Sequence, residues 1–194
     1  MKKSELRQTY LARQKAISQE DRLERSEAIA DLFIRTFDLE RIKLLHSFIP
    51  IKKFNEVDTK FIFEKVWRDF PDIQIVVPRV DHKTKEMKSL IFDRDTELVS
   101  SAWEIDEPAH DKIVSDKEID MVLTPGVCFD STGHRVGYGK GFYDRFLKNC
   151  RLDCVKIGLS LFEPVDKIDD LYDGDVAMNF VITPSEVGKT SLTS

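Results

Sequence analysis

The stretch Thr124-Pro-Gly-Val-Cys-Phe-Asp-Ser-Thr-Gly-His-Arg-Val-Gly-Tyr-Gly-Lys-Gly-Phe-Tyr-Asp144 runs from an apolar strand into a glycine-rich basic loop and out into a helix. Four of the chain's eight glycines, Gly133, Gly137, Gly139 and Gly141, fall within this loop, which frees the backbone to turn sharply and aim several N–H groups at one anion. Arg135 and Lys140 add positive charge. Asp144 follows on the first turn of the expected helix, where a carboxylate can hold a divalent cation against a bound phosphate. The pattern Gly-x-Arg-x-Gly-x-Gly-x-Gly-x-x-Asp contains neither the Gly-Lys-Ser/Thr of a Walker A loop nor the Gly-x-Gly-x-x-Gly dinucleotide fingerprint. It reads as an anion site suited to ATP, against the plainer reading of a flexible turn between strand and helix.

Outward from the loop, strand and helix patterns alternate. Upstream lies an apolar strand over 119–124; downstream, Phe142, Phe146 and Leu147 supply one helix face, and further strands are predicted at 155–160 and 180–183. The N-terminus predicts an amphipathic helix over Lys3–Ile17 and a second from Ser18, an N-cap, to near Asp38. A buried strand within 41–50 precedes a helix carrying Ile62, Val66 and Phe70, which Pro71 stops. Strands at 73–80 and 87–92 flank a polar turn and read as a hairpin. Residues 93–119 have no clear period and are assigned no regular structure. The order predicts an α/β fold in three layers: a mostly parallel sheet, mixed at an edge, with helices on both faces and ligands at the carboxyl ends of the strands. One domain is expected over residues 1–186, with a polar, flexible tail over 187–194.

Composition narrows the function. The 194 residues are 41% apolar and 34% charged, which excludes disordered and fibrous classes. A formal net charge of −5 argues against a nucleic-acid binder, which needs a basic face to displace phosphate counterions. The N-terminus has no apolar core of a leader, and no run approaches the roughly 18 apolar residues of a membrane span. A cytoplasmic monomer acting on small molecules is the expectation. Three cysteines, Cys128, Cys150 and Cys154, make an odd count that suits reduced, packed thiols. The histidines His46, His82, His110 and His134 show no triad or metal spacing and receive no role.

Taken together, these residues look like a known signature. The loop from Pro125 to Arg145 closely resembles that of the 5-formyltetrahydrofolate cyclo-ligase family, also called 5,10-methenyltetrahydrofolate synthetases. Other landmarks agree in order: Lys3-Ser-Glu-Leu-Arg7, Ser47-Phe-Ile-Pro50, Asn55-Glu-Val-Asp-Thr59, Trp103 with Glu107-Pro108, and Asp175 before Val181-Ile-Thr183.

The resemblance implies an enzyme that uses ATP and Mg²⁺ to convert 5-formyltetrahydrofolate into 5,10-methenyltetrahydrofolate, releasing ADP and phosphate. It implies Lys140 and Arg135 as cations on the transferring phosphoryl group. ATP contacts would come from Lys3, Arg7, Gly133, Arg135, Gly137, Tyr138, Gly139, Lys140, Gly141 and Tyr143. Lys3 and Arg7, one helical turn apart, otherwise read as a solvated face. Asp144 and Asp175 match the magnesium positions. The family often carries Asp-x-Pro-x-Asp near the second; here it reads Asp175-Val-Ala-Met-Asn179, with Asp170 and Asp173 as nearby acids. On the folate side Glu56 matches the family's substrate glutamate, and Ile51, Trp103, Tyr138, Phe142 and Tyr143 are candidates for an apolar wall around the pterin. Two other readings of the residues stay open: a sugar-phosphate isomerase, and a nucleotide-binding module without catalysis.

Overall fold

Two amphipathic helices open the chain. In α1 (Lys3–Ala16) the buried face is Leu6, Tyr10 and, unusually, the polar Gln14. α2 (Gln19–Thr36) begins where the Ser18 hydroxyl accepts the Asp21 N–H at 3.0 Å, the expected cap, and buries Ile29, Ala30 and Phe33. β1 (Leu44–His46), α3 (Lys60–Asp69) and β2 (Gln74–Asp81) then form one β-α-β unit, and β2 returns through β3 (Glu86–Phe92) as the expected hairpin. This architecture comes from a computed structural model that describes residues 1–81, 83–101 and 105–190.

Residues 93–119, expected to be irregular, contain β4 (Leu98–Ser100), β5 (Asp106–Pro108) and β6 (Ile113–Val114). β4 and β5 pair with each other, and β6 adds to β3 at the sheet edge. Leu98, Val99 and Ile113 are exposed and the buried residues of β5 are Glu107 and Pro108, so no apolar alternation marks these strands in the sequence; their tertiary partners define them. β7 (Met121–Pro125) carries the chain into the glycine stretch. That stretch is not one loop, because β8 (Cys128–Phe129) and β9 (Arg135–Val136) form a small hairpin before Gly137–Gly141 leads into α4 (Phe142–Asn149). β10 (Val155–Leu159), β11 (Phe180–Ile182) and β12 (Val187–Lys189) complete the sheet.

The eight strands lie in the order β12-β11-β10-β7-β1-β2-β3-β6. The five from β11 to β2 are parallel, and antiparallel strands sit at both edges rather than one. β12 pairs with β11 inside the segment assigned to a flexible tail, which corrects that boundary: Val187–Lys189 lack apolar periodicity but have an open strand edge to pair with.

Side chains alternate across the sheet. Leu45, Ile75, Val77, Met121 and Leu123 face α1, α2 and α3, whereas Leu44, Val76 and Val122 face α4 with Phe146 and Leu147. Helices therefore cover both faces. Cys128, Cys150 and Cys154 are free, buried thiols, as expected. Among the described residues no helix is long and apolar enough to cross a membrane.

Sequential parallel strands run outward from β1 to β2 on one side and from β7 through β10 to β11 on the other. The strand order thus reverses between β1 and β7, and a crevice opens at the carboxyl ends there.

Candidate active site

A cavity of about 540 Å³ fills that crevice. Its base is the carboxyl ends of three strands, with Phe48 and Ile49 after β1, Pro78 and Val80 on β2, and Pro125 on β7. The start of α1, the glycine loop and the first turn of α4 close around it. Gly139 and Gly141 adopt φ of 89° and 64°, a left-handed backbone that favours glycine, and Gly141 is the residue from which α4 starts. Gly139 and Gly141 are thus needed for the turn itself.

One wall is ionic. Lys3, Arg7, Arg135, Lys140, Asp144 and Asp175 all line the cavity, although the sequence separates the first and last by most of the chain. Lys140 is exposed at the rim. Arg7 donates through Nε to the Gly137 carbonyl at 2.7 Å, which binds α1 to the loop. The remaining two cations are paired with the two carboxylates expected to hold metal. Arg135 is buried and donates to Asp144 Oδ1 at 2.8 Å, while Lys3 Nζ is ion-paired with Asp175 and lies over the Tyr172 ring. Burial lowers the pKa of the Arg135 guanidinium, and the Asp144 carboxylate opposes that shift. Backbone groups hold the carboxylates as well: Val176 N–H donates to Asp144 and Tyr172 N–H to Asp175.

The other wall is apolar and aromatic, with Ile51, Phe54, Tyr138, Phe142 and Tyr143 around Glu56. Tyr138 stacks on Phe54 with ring centroids 4.4 Å apart and planes at 18°. Glu56 is only 4% exposed, and its Oε2 accepts the Ile51 N–H at 2.6 Å. Burial pushes its pKa up to about 7, against the opposing pull of the Ile51 N–H and the Tyr138 hydroxyl. The Tyr138 and Tyr143 hydroxyls are raised too, first by burial and then by the Glu56 charge. A carboxyl that titrates near neutrality inside an aromatic pocket is suited to gripping a donor-rich ring edge.

Not every expected residue arrives here. Gly133 turns the β8–β9 hairpin at φ 88°, with a side chain excluded by the Met178 carbonyl, and it does not line the cavity. His134, beside it, hydrogen-bonds Thr132 in the same turn. Sequence proximity alone places Gly133 in the loop, and the hairpin carries it away. Trp103 lies outside the described residues. Asp170 accepts the Lys3 backbone N–H at 2.6 Å and Asp173 is exposed; neither lines the cavity, whereas Asp175 does. Phe54, Tyr172 and Glu107 line it without having been assigned a role. Phe54 was legible as the aromatic two residues before Glu56. Glu107, buried and accepting the Val80 N–H at 3.0 Å, carried no signal beyond its place beside Pro108.

Fold and cavity together define a doubly wound α/β protein with a divided site at its topological switch point, ionic on one side and aromatic on the other. The chain belongs to the 5-formyltetrahydrofolate cyclo-ligase family, whose pattern matches residues 1–184. It is 27% identical to the 5-formyltetrahydrofolate cyclo-ligase of Escherichia coli over 180 residues, covering 90% of this chain and 96% of that one. The mitochondrial 5-formyltetrahydrofolate cyclo-ligase of Arabidopsis thaliana is 32% identical over 156 residues, 74% of this chain but 56% of that protein. Among solved structures, the 5,10-methenyltetrahydrofolate synthetase of Aquifex aeolicus superposes with a TM-score of 0.82 at 28% identity, covering 98% of this chain and 94% of that one. The synthetase from Mycoplasma pneumoniae gives a TM-score of 0.74 at 27% identity, over 95% and 99% of the two chains. Family membership sets aside the isomerase alternative.

Proposed function

We propose that the cavity binds ATP and 5-formyltetrahydrofolate side by side and that the protein couples ATP cleavage to closure of the 5,10-methenyl ring. The observation that carries this reading is the division of one cavity into a cation-rich wall and an aromatic wall built around the buried Glu56.

The formyl group on N5 is an amide, and its oxygen is a poor leaving group. Attack of that oxygen on the γ-phosphorus of ATP, with ADP departing, makes an imidate-like phosphate. N10 then adds to the formyl carbon, the C–O bond breaks to release phosphate, and the N10 proton leaves to phosphate or water. Such a transfer asks the protein chiefly for positioning and charge neutralisation. Lys140, Arg7 and Lys3 supply the charge, with loop N–H groups beside them. Ionised Glu56 accepts hydrogen bonds from the amino-pyrimidine edge, and Tyr138, Phe142, Tyr143 and Ile51 flank the ring.

Asp144 and Asp175 are the residues that would hold magnesium, each keeping one carboxylate oxygen without a hydrogen bond among the described residues. No cluster of three or more protein ligands is assembled among the described residues, and magnesium shared with a nucleotide needs none, because phosphate oxygens and water complete its shell. Bound there, it would neutralise charge on the triphosphate.

The test is to mix protein, Mg-ATP and 5-formyltetrahydrofolate and to follow methenyl absorbance together with ADP. Both should appear in equal amounts. Nucleotide binding with neither product would leave a non-catalytic module. Lys140→Ala should lower kcat by about 10²–10³-fold, the usual scale for one lost transition-state contact, with folate affinity held within about threefold. Equal losses of turnover and folate affinity would mean that the loop holds the ring rather than the phosphoryl group.

A further inference from the structure

We propose that Gln14 and Tyr138 are positioning residues for Glu56: the Tyr138 hydroxyl, set between the Gln14 amide and the Glu56 carboxylate, holds Glu56 in the charged orientation that reads the substrate ring. The inference rests on the functional reading of Glu56 given above.

Glu56 reaches the cavity on an irregular segment, so its placement depends on tethers. The short turn Lys52–Phe54 ends at Asn55 with φ 50°, and Asn55 Nδ2 donates to the Gln14 carbonyl of α1 at 3.1 Å. From α2, Arg22 donates to the Glu56 carbonyl at 3.2 Å. Backbone contacts thus hold the segment, and the Ile51 N–H holds carboxylate Oε2. No ion pair to the Glu56 carboxylate is present among the described residues. Arg22 is engaged with Asp58, and Arg7 of α1 with the Gly137 carbonyl. Lys53 lines the cavity beside Phe54, and the titratable groups that bear on the carboxylate from the glycine loop and α4 are the Tyr138 and Tyr143 hydroxyls.

Tyr138 is placed by its ring, stacked on Phe54, which brings its hydroxyl beside both Glu56 and Gln14. Neither approach is a full hydrogen bond in this structure: Tyr138 Oη and Gln14 Oε1 are both buried with no partner among the described residues. Orphaned polar atoms of this kind are costly and call for a state in which they are matched. The two ends of the Gln14 amide are equal in shape. With Nε2 toward Tyr138, Gln14 donates to the phenol oxygen and the phenol donates its single hydrogen to Glu56. Such a chain runs one way and ends on an acceptor, which is the ionised carboxylate; a protonated Glu56 would present a competing donor. It therefore opposes the effect of burial and favours the form that accepts two hydrogen bonds from a ring edge. Gln14 and Tyr138 stand on α1 and the glycine loop, so only the fold brings them together.

The experiment measures binding of 5-formyltetrahydrofolate from pH 5.5 to 9 for the unmodified protein, Tyr138→Phe, Gln14→Leu and Glu56→Gln, with thermal melts alongside. Affinity should fall as pH drops below a midpoint of about 7, and Glu56→Gln should abolish that dependence. Relative to its own affinity at pH 9, Tyr138→Phe should lose about tenfold more affinity at pH 6 than the unmodified protein does, because losing a donor to the carboxylate moves the midpoint up by about one pH unit. Gln14→Leu should shift it in the same direction by less, and it carries the test if Tyr138→Phe fails to fold. A uniform loss of affinity at every pH, with the midpoint unmoved in both variants, overturns the inference and leaves Tyr138 as wall. An unmodified protein that binds no 5-formyltetrahydrofolate at any pH overturns the functional reading, and this inference with it.

Discussion

His46 occupies the middle of the sheet as the last residue of β1 before the cavity, its ring tilted against Phe146 with centroids 4.5 Å apart and edge-on to Tyr143. It is fully buried, and both ring nitrogens lack hydrogen-bond partners among the described residues. Burial alone lowers its pKa to about 3, so the folded protein holds a neutral imidazole where the unfolded chain would protonate near 6.5. A depressed pKa contributes stability that is present above the unfolded value and is lost as pH falls toward the folded one. Thermal denaturation should therefore show a loss of stability between pH 6.5 and 3 to which His46 contributes. His46→Phe should flatten it and raise stability at neutral pH by about 1–2 kcal/mol, since two unmatched buried atoms are removed from an aromatic cluster. A drop in stability would mean that His46 is matched in solution, for instance by water. The sequence offered no role for this histidine, and the two rings packed against it, Tyr143 and Phe146, are distant in the chain.

Among the elements, β10 shows how one position constrains a whole layer. Gly158 faces α4 in line with Val122 and Thr124, and a Cβ there would lie 2.2 Å from the ring of Phe129, which is fully buried. The ring fills the space that the glycine leaves. Gly158→Ala should destabilise by roughly 1–3 kcal/mol through overpacking, and Phe129→Leu in the same chain should recover part of it. Denaturant titration of the three variants tests this; additive losses would show that the two positions do not share the space. Elements with strong periodicity, α1, α2, α3 and the β2–β3 hairpin, were legible in the sequence because each buries its own stripe. The β8–β9 hairpin, β4, β5, β6 and β12 were not, because they are two or three residues long and depend on a partner strand for definition. The hairpin matters most for the site, as it separates Gly133 and His134 from the glycines that line the cavity.

At the scale of the molecule, two of the four cations in the ionic wall are neutralised by its own carboxylates. Lys3 with Asp175 and Arg135 with Asp144 join α1, β9, α4 and the segment before β11 across one cavity, and all four side chains are mostly buried. Nucleotide alone would meet carboxylates and metal alone would meet cations, so each faces ion pairs that only the two together can exchange. Calorimetry should find Mg-ATP bound at least about tenfold more tightly than either ATP in chelator or Mg²⁺ alone, the cost of breaking one partly buried pair being a few kcal/mol. Asp175→Asn should release Lys3 and raise affinity for metal-free ATP while lowering turnover with Mg-ATP. Unchanged metal-free binding would place Asp175 outside the nucleotide site. By itself the sequence determined the alternation of strands and helices and the glycine turn into α4, with basic, acidic and aromatic residues around that turn, because periodicity and turn chemistry are local properties. The tertiary structure alone decided which of those residues meet. It paired the cations with the carboxylates and set Gln14 behind Tyr138, because packing and burial at a crevice depend on chain segments that no local pattern relates.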